Sequence, residues 1–382
     1  MKQLFTVPFA FCLLGVFVVA AIGEQPTFTK NMFDGKTLSG WQVKGCEAEV
    51  DEGTLLLKAG NGVVHTEHRY TDFILELEWK ASRTGAERWD SGIYFRCELP
   101  EGKRPWPSRY QANLLKGQEG NVGGIKGATS KGMCKDGEWN KFKLTVIGTK
   151  LSLDINDKPA WSADGLEQAD GFICLQAEVP GGGQFRFRNI KLTEIGRKAL
   201  FNGKDLTGFE GAGGDAAKCW GVEDGVLVGL EGKGPWLRSV EQHADFNLRL
   251  DYKVKEGGNS GIYVRVPEDG NHHGKDAGVE IQILDDKAEK YAKLVPSQYC
   301  GSVYKIAPST EHVGREPGEW NSLEINTKGH GYRVTHNGTV IVNATLEEFP
   351  QLEQRLLRGF LGFQNHGGGV WFRNIRIGPS QP

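Results

Sequence analysis

The chain of 382 residues is long enough for two domains of ordinary size, each with its own core. Its 46 Lys and Arg residues nearly balance 48 Asp and Glu residues. This balance excludes the strong net field typical of proteins that bind nucleic acid or an anionic membrane surface. The 53 glycines and the aromatic content of 10% favour many short strands joined by tight turns.

The first 23 residues predict a removable secretion signal. Lys2 precedes an apolar run from Leu4 to Ala21, and Ala21-Ile22-Gly23 supplies small residues at a cleavage position. The alternative is an uncleaved membrane anchor, because the run approaches the ~20 residues that cross a bilayer. We expect a secreted or periplasmic protein with no membrane contact after cleavage.

Six cysteines follow this segment, and export would permit them to form disulfides. Their wide spacings define neither a pairing nor a zinc site, and buried free thiols are the alternative. These residues are Cys46, Cys97, Cys134, Cys174, Cys219 and Cys300.

The rest of the chain contains one pattern twice. Its opening, Phe33–Trp41, is matched by Phe201–Phe209. Further matches follow in the same order: Ser91–Arg96 with Ser260–Arg265, Gly137–Asn140 with Gly318–Asn321, and Phe187–Ile190 with Phe372–Ile375. An internal repeat of this length predicts two copies of one domain, at residues 25–196 and 197–382.

Each copy has the periodicity of strands. Phe73–Lys80, Lys141–Val146 and Leu248–Lys255 alternate apolar with polar residues, which predicts strands with one face on a core and one in water. Strands of this kind need a second sheet to cover them, so we expect an all-β protein of two tandem β-sandwiches. Asp285–Leu294 and Glu347–Leu357 are the segments most suited to short helices.

Several stretches of the second copy resemble the 3-keto-disaccharide hydrolase family. They are Phe201–Gly208, Gly258–Ile262, Gly278–Asp285, Pro317–Asn321, Arg358–Gly367 and Phe372–Ile375. The resemblance implies a concanavalin-like jelly-roll sandwich in an exported bacterial protein that acts on glycosides with a ketone at C3, as a hydrolase or a lyase. Fold alone does not establish that activity.

A ketone at C3 makes the C2 hydrogen acidic and the C1 substituent a leaving group, so cleavage needs a base. Glu280 and Gln282 are two apart on a predicted strand and share a face. We predict Glu280 as the base or a metal ligand, with Gln282 binding sugar hydroxyls. Asp285 and His366 are further catalytic candidates. The alternative for His366 is a position in a surface turn without a catalytic role. A structural ion pair with Arg265 or Arg373 is the alternative for Glu280.

Other polar and aromatic residues are predicted to bind the carbohydrate, with turn or core roles as alternatives. They are Asn259, Ser260, Arg265, Gln282, Trp320, Gln364 and Arg373. His272-His273 lies in an insertion of the second copy and is assigned to a solvated loop, with the rim of the cleft as the alternative. A divalent metal ion stays open as a cofactor, whereas no nucleotide cofactor, nucleic acid or protein partner is indicated.

The first copy lacks these carboxylates. Gln111 stands in place of Glu280, Asn113 in place of Gln282, and Lys116 in place of Asp285. We therefore expect the second copy to be catalytic. Two alternatives remain: a non-catalytic carbohydrate-binding protein, and a first copy that is itself active through Glu178, which aligns with His366.

Overall fold

The computed structural model describes residues 25–82, 88–232 and 234–381. The predicted signal lies outside them, and among the described residues no helix is long and apolar enough to cross a membrane. The chain forms two compact units. Among the described residues, the first unit contains 25–31, Val43–Val64 and Arg69–Ile195, and the second contains Met32–Gln42, His65–His68 and 196–381. The predicted domain limits at 196 and 197 stay a prediction.

The described part of the first repeat forms eleven strands, all paired antiparallel where the pairing is described. They are β1 (Thr27–Asn31), β2 (Trp41–Asp51), β3 (Thr54–Thr66), β4 (Phe73–Ser82), β5 (Gly92–Cys97), β6 (Gln111–Asn113), β7 (Asn140–Ile147), β8 (Lys150–Ile155), β9 (Lys158–Asp164), β10 (Phe172–Val179) and β11 (Gln184–Ile195). Their order is β6-β5-β10-β3-β11-β4-β7-β8-β9, with β1 on β11 and β2 on β3. The long strand β3 lies between β10 and β11 in this order.

The described residues of the second repeat form thirteen strands. They are β12 (Lys198–Ala199), β13 (Phe209–Gly211), β14 (Trp220–Glu223), β15 (Val226–Gly229), β16 (Leu237–His243), β17 (Phe246–Val254), β18 (Asn259–Val266), β19 (Val279–Leu284), β20 (Asn321–Lys328), β21 (Gly331–His336), β22 (Thr339–Ala344), β23 (Gly359–Phe363) and β24 (Val370–Gly378). One sheet has the order β14-β15-β24-β17-β20-β21-β22, with β12 on β24, and the other has the order β13-β16-β23-β18-β19.

The core of the second unit lies between these two sheets. Ile262, Ile281 and Phe363 of the five-stranded sheet are buried in one cluster with Leu250 and Phe372 of the other sheet. Because side chains alternate along a strand, the neighbours of these residues on β18 and β19 lie on the opposite face. The predicted all-β class with two tandem β-sandwiches is confirmed.

The predicted helices are largely wrong. The helical segments among the described residues are short 3-10 turns, at Ala216–Lys218, Glu289–Tyr291, Pro296–Gln298 and Pro350–Gln354. The described cysteines are free thiols, and the Sγ atoms of Cys97 and Cys174 lie 3.3 Å apart. No disulfide is therefore present among the described residues.

The strand predictions are confirmed in β4, β7 and β17, but the solvated face expected for β17 is wrong. Arg249 is 1% exposed, and its Nε lies 3.1 Å from Oε2 of Glu324 on β20. Asp251 is also buried, and Arg373 of β24 donates from Nε to its Oδ2 at 3.3 Å. The charges on this face pair across strands instead of facing water, which alternation alone cannot distinguish.

Candidate active site

Strands β18 and β19 carry the candidate site on the face turned away from the core. Tyr263 lies opposite Glu280, and Gly261 lies opposite Gln282. Gln364 follows β23 directly, and its backbone N–H donates to the Gly261 carbonyl at 2.9 Å. Strand alternation thus gathers one carboxyl, two amides and one phenol on a single surface.

Glu280 is the buried carboxyl of this surface, with 4% of the residue exposed. A Cβ atom at Gly261 would overlap its side chain, so only glycine leaves room for Glu280 to lie across β18. Burial raises the pKa of Glu280 to about 7, although Gln364 and Lys305 favour the charged form. A carboxyl with this pKa can gain and lose a proton near neutral pH.

The alternative for Glu280, a structural ion pair with Arg265 or Arg373, is contradicted. Nη2 of Arg265 lies 2.7 Å from Oδ1 of Asp245, and Arg373 is bonded to Asp251. Neither arginine therefore neutralises Glu280.

His272 is the partner that the structure gives to Glu280. Its Nε2 lies 3.3 Å from Oε2 of the carboxyl, and its ring stacks on Tyr263 with centroids 4.7 Å apart. Burial lowers the pKa of His272, which keeps the imidazole neutral at pH 7. The assignment of His272 to a solvated loop is therefore wrong: contacts with Tyr263 and Glu280 hold the ring.

The hydrogen bond on the other side of the His272 ring fixes the tautomer. Nδ1 lies 3.2 Å from the Gly270 carbonyl, which only accepts, so the neutral ring carries its proton on Nδ1. Nε2 then faces Glu280 as an acceptor. Glu280 and His272 can therefore share one proton.

Three side-chain amide oxygens on the same face are buried without a hydrogen-bond partner among the described residues. They belong to Asn259, Gln282 and Gln364. The amide nitrogen of Gln364 donates to the Tyr263 hydroxyl at 2.9 Å. Buried amide groups without partners cost free energy, about 1–3 kcal/mol each, unless a ligand satisfies them. A ligand with many hydroxyl groups could do so.

Trp236 adds an aromatic wall. Its ring meets Tyr263 edge to face with centroids 5.1 Å apart, and it lies on Gly362, where a Cβ atom would overlap the indole. An aromatic surface beside hydrogen-bonding groups suits the C–H face of a sugar ring.

Three predicted residues contact other parts of the protein. The Ser260 hydroxyl donates to the Gln364 carbonyl at 2.6 Å, and Asp285 accepts the Gly257 N–H at 2.8 Å. Arg265 is fully buried, and it also donates from Nε to the Ala244 carbonyl at 2.7 Å. These contacts stabilise loops and strand ends around the site.

Trp320 and Arg373 are not brought to the face that carries Glu280. The Arg373 guanidinium lies 4.0 Å from the Trp320 ring centroid, on the sheet that contains β24. His366 is exposed in the connection between β23 and β24. All the catalytic and substrate-binding assignments stay predictions.

The described residues include no group of three or more His, Cys, Asp or Glu side chains placed to bind a metal ion. Glu280 and His272 would provide two ligands, whereas protein metal sites of the zinc type use at least three. These two described side chains do not complete a site of this type.

Sequence reasoning missed Tyr263 and Trp236 and undervalued His272. Tyr263 lies in the repeated segment Ser260–Arg265. Strand alternation could have predicted that its side chain shares a face with Glu280. No periodic signal marks His272 or Trp236, because both lie in connecting segments.

A sheet face with a buried carboxyl, amides and aromatic rings suits a carbohydrate ligand. Homology to a hydrolase family places the chain in the class of carbohydrate-active proteins. Within that class, the chain belongs to the family described as the 3-keto-alpha-glucoside-1,2-lyase-like domain, whose sequence profile matches residues 29–193 and 196–378. At the level of this family it is a glycoside hydrolase-like enzyme.

Individual relatives and solved structures are similar to parts of this chain. A 3-keto-disaccharide hydrolase of Bacteroides thetaiotaomicron is 29% identical over 263 residues, which cover 58% of this chain and 91% of the relative. A crystal structure of a proposed glycosyl hydrolase of Parabacteroides distasonis is 29% identical, with a TM-score of 0.44, and covers 49% of this chain and 94% of its own. A carbohydrate-binding module of Bacillus subtilis is 15% identical, with a TM-score of 0.31, over 45% of this chain and 96% of its own.

Proposed function

We propose that the second unit cleaves 3-keto-glycosides or 3-keto-disaccharides by proton abstraction from C2, elimination at C1 and hydration. The observation that carries this proposal is Glu280, a buried carboxyl without an arginine partner whose pKa is raised to about 7. A general base is most effective when its pKa lies near the working pH. The homology to a 3-keto-disaccharide hydrolase supports the substrate class.

In the first step the Glu280 carboxylate takes the C2 proton. The C2–H electron pair forms the C2–C3 double bond, and the C3 carbonyl oxygen becomes an enolate oxygen. Tyr263 can stabilise this charge: its hydroxyl accepts from Gln364, so its own proton is available to donate. Burial, aided by the nearby Glu280, raises the pKa of Tyr263 to about 12, which keeps that proton in place.

In the second step the enolate re-forms the C3 carbonyl, a C1–C2 double bond forms, and the C1–oxygen bond to the leaving group breaks. The proton gained by Glu280 can pass to His272 Nε2, 3.3 Å away, and from there to the departing oxygen. Water then adds at C1, and Glu280 receives a proton from that water and returns one to C2. The net reaction consumes one water and releases an alcohol and a 3-keto sugar.

A non-catalytic carbohydrate-binding protein is the second candidate. The buried amides of Asn259, Gln282 and Gln364 favour it, since they could bind a sugar without any reaction. The raised pKa of Glu280 and its contact with His272 have no role in that account. A secreted or periplasmic location is part of the proposal and is supported by the apolar segment at residues 4–21.

The test is release of glucose from a 3-keto-disaccharide of glucose by residues 25–382. Glu280→Gln is compared with the parent and with Glu289→Gln, a matched change at an exposed carboxylate. We expect Glu280→Gln to lose a factor of about 10²–10⁴ in kcat, typical of a removed general base, and Glu289→Gln to keep full activity. Parallel assays with a chelator test the metal requirement. Sugar binding without turnover by the parent chain would favour the second candidate.

A further inference from the structure

The first unit contains a cavity of about 460 Å³. Its lining includes Tyr94, Arg109, Tyr110, Gln111, Gly124 and Glu167. This volume lies within the range of roughly 300–1,000 Å³ that small-molecule sites occupy.

The cavity occupies the position that corresponds to the Glu280 site. Tyr94 lies opposite Gln111 in the pairing of β5 with β6, as Tyr263 lies opposite Glu280 in the pairing of β18 with β19. A Cβ atom at Gly92 would overlap Gln111, just as one at Gly261 would overlap Glu280. The backbone that presents the carboxyl in one unit presents an amide in the other.

The amide belongs to a connected polar row. Gln111 donates from Nε2 to Oε1 of Gln176, and Gln176 donates from Nε2 to Oε2 of Glu178 at 3.0 Å. Gln176 is 4% exposed, and its backbone carbonyl accepts from the Ser91 hydroxyl at 2.7 Å. An amide at position 111 cannot accept the C2 proton, and the 98–110 connection holds no histidine.

The cavity lining favours a neutral ligand. Its charged pair is compensated, with Nη1 of Arg109 2.6 Å from Oε2 of Glu167. Tyr110 supplies a buried ring and a hydroxyl that accepts the Glu167 N–H at 2.9 Å. A Cβ atom at Gly124 would meet nothing within 4 Å, so that wall is open for a ligand to approach the backbone.

We propose that the first unit binds a neutral glycoside in this cavity without cleaving it. The choice of a sugar as ligand rests on the proposed function of the second unit, whereas the cavity, its polar row and its missing base do not. The enzyme would then hold carbohydrate at two sites and cleave it at one.

The experiment titrates methyl 3-keto-α-glucoside into residues 25–382 carrying Glu280→Gln, with binding followed by calorimetry. We expect two sites per chain. Adding Gln111→Leu is expected to weaken binding at one of the two sites roughly tenfold or more. The substitution removes a hydrogen-bonding group from the cavity and leaves Oε1 of Gln176 without the hydrogen bond that Gln111 donates. The matched change Gln118→Leu, at an exposed position of the same unit, leaves both sites intact.

A second variant covers the case in which Gln111→Leu fails to fold. Tyr110→Phe removes only the cavity hydroxyl and is expected to weaken the same site. One site per chain, or two sites unaffected by both variants, would overturn the proposal. Glucose release by the Glu280→Gln chain, measured beforehand with a 3-keto-disaccharide, would contradict the proposed function instead.

Discussion

Nε2 of His272 lies 3.3 Å from Oε2 of Glu280, and the two groups come from different parts of the second repeat. Glu280 is presented by a strand, whereas His272 is presented by the 267–278 connection before that strand. The first repeat has Gln111 at the strand position and no histidine in the corresponding connection. The two residues that could move a proton therefore occur together in one repeat and are both missing from the other.

The pH dependence of turnover follows from the pKa of Glu280. A base acts only after losing its proton, and burial raises this pKa to about 7. We expect kcat/KM to rise with pH and to level off above about pH 7. Initial rates across this range measure the profile. A rate that falls as pH rises through 7 would assign Glu280 to the role of an acid instead.

The same group makes folding stability depend on pH. The folded chain keeps the Glu280 proton up to about pH 7, whereas a free glutamate side chain has a pKa of about 4.5. The folded state thus binds more protons between these values, and its stability declines as pH rises through them. Glu280→Gln lacks this loss, so above pH 7 it should be more stable than the parent by on the order of 3 kcal/mol.

Urea unfolding of the parent and of Glu280→Gln at pH 8 and at pH 4.5 measures this difference. The difference in unfolding free energy between the variant and the parent should be smaller at the lower pH. Equal gaps at both values would show that the substitution acts through packing and not through ionisation.

Substitutions of His272 and His366 test which of the two histidines is catalytic. His272→Gln removes the proton acceptor beside Glu280, and we expect kcat to fall by a factor of about 10² or more with little change in the melting temperature. His366→Gln changes an exposed loop residue and should alter kcat less than twofold. The reverse ranking in a steady-state assay would return the catalytic role to His366.

Arg265 is expected to matter for folding and not for binding. Its guanidinium is fully buried and pairs with Asp245 at 2.7 Å. Arg265→Ala leaves that region without its charge and hydrogen bonds, so we expect a loss of about 3 kcal/mol in unfolding free energy. KM of the folded fraction should stay unchanged. Arg358→Ala, at an exposed position, is the control. A raised KM with an unchanged melting temperature would restore Arg265 to the substrate site.

Alternation and repetition carried most of the fold prediction. They placed β4, β7 and β17 and put Glu280 and Gln282 on one face, because side-chain direction along a strand has a period of two. The alternating pattern predicted a solvated face for β17, which is wrong. A charged residue such as Arg249 gives the same pattern whether it faces solvent or forms a buried ion pair. The position of His272 beside Glu280 could not be predicted from alternation or repetition, because tertiary contacts determine the path of a connecting segment.

The most direct test of the account is the rate of cleavage of a 3-keto-glycoside that carries deuterium at C2. If Glu280 removes the C2 proton in a step that limits the rate, the deuterated substrate reacts more slowly, with a primary kinetic isotope effect on kcat/KM. Deuterium at C1 then has only a small secondary effect. Equal rates for the C2-deuterated and unlabelled substrates, together with full activity of Glu280→Gln, would contradict the account.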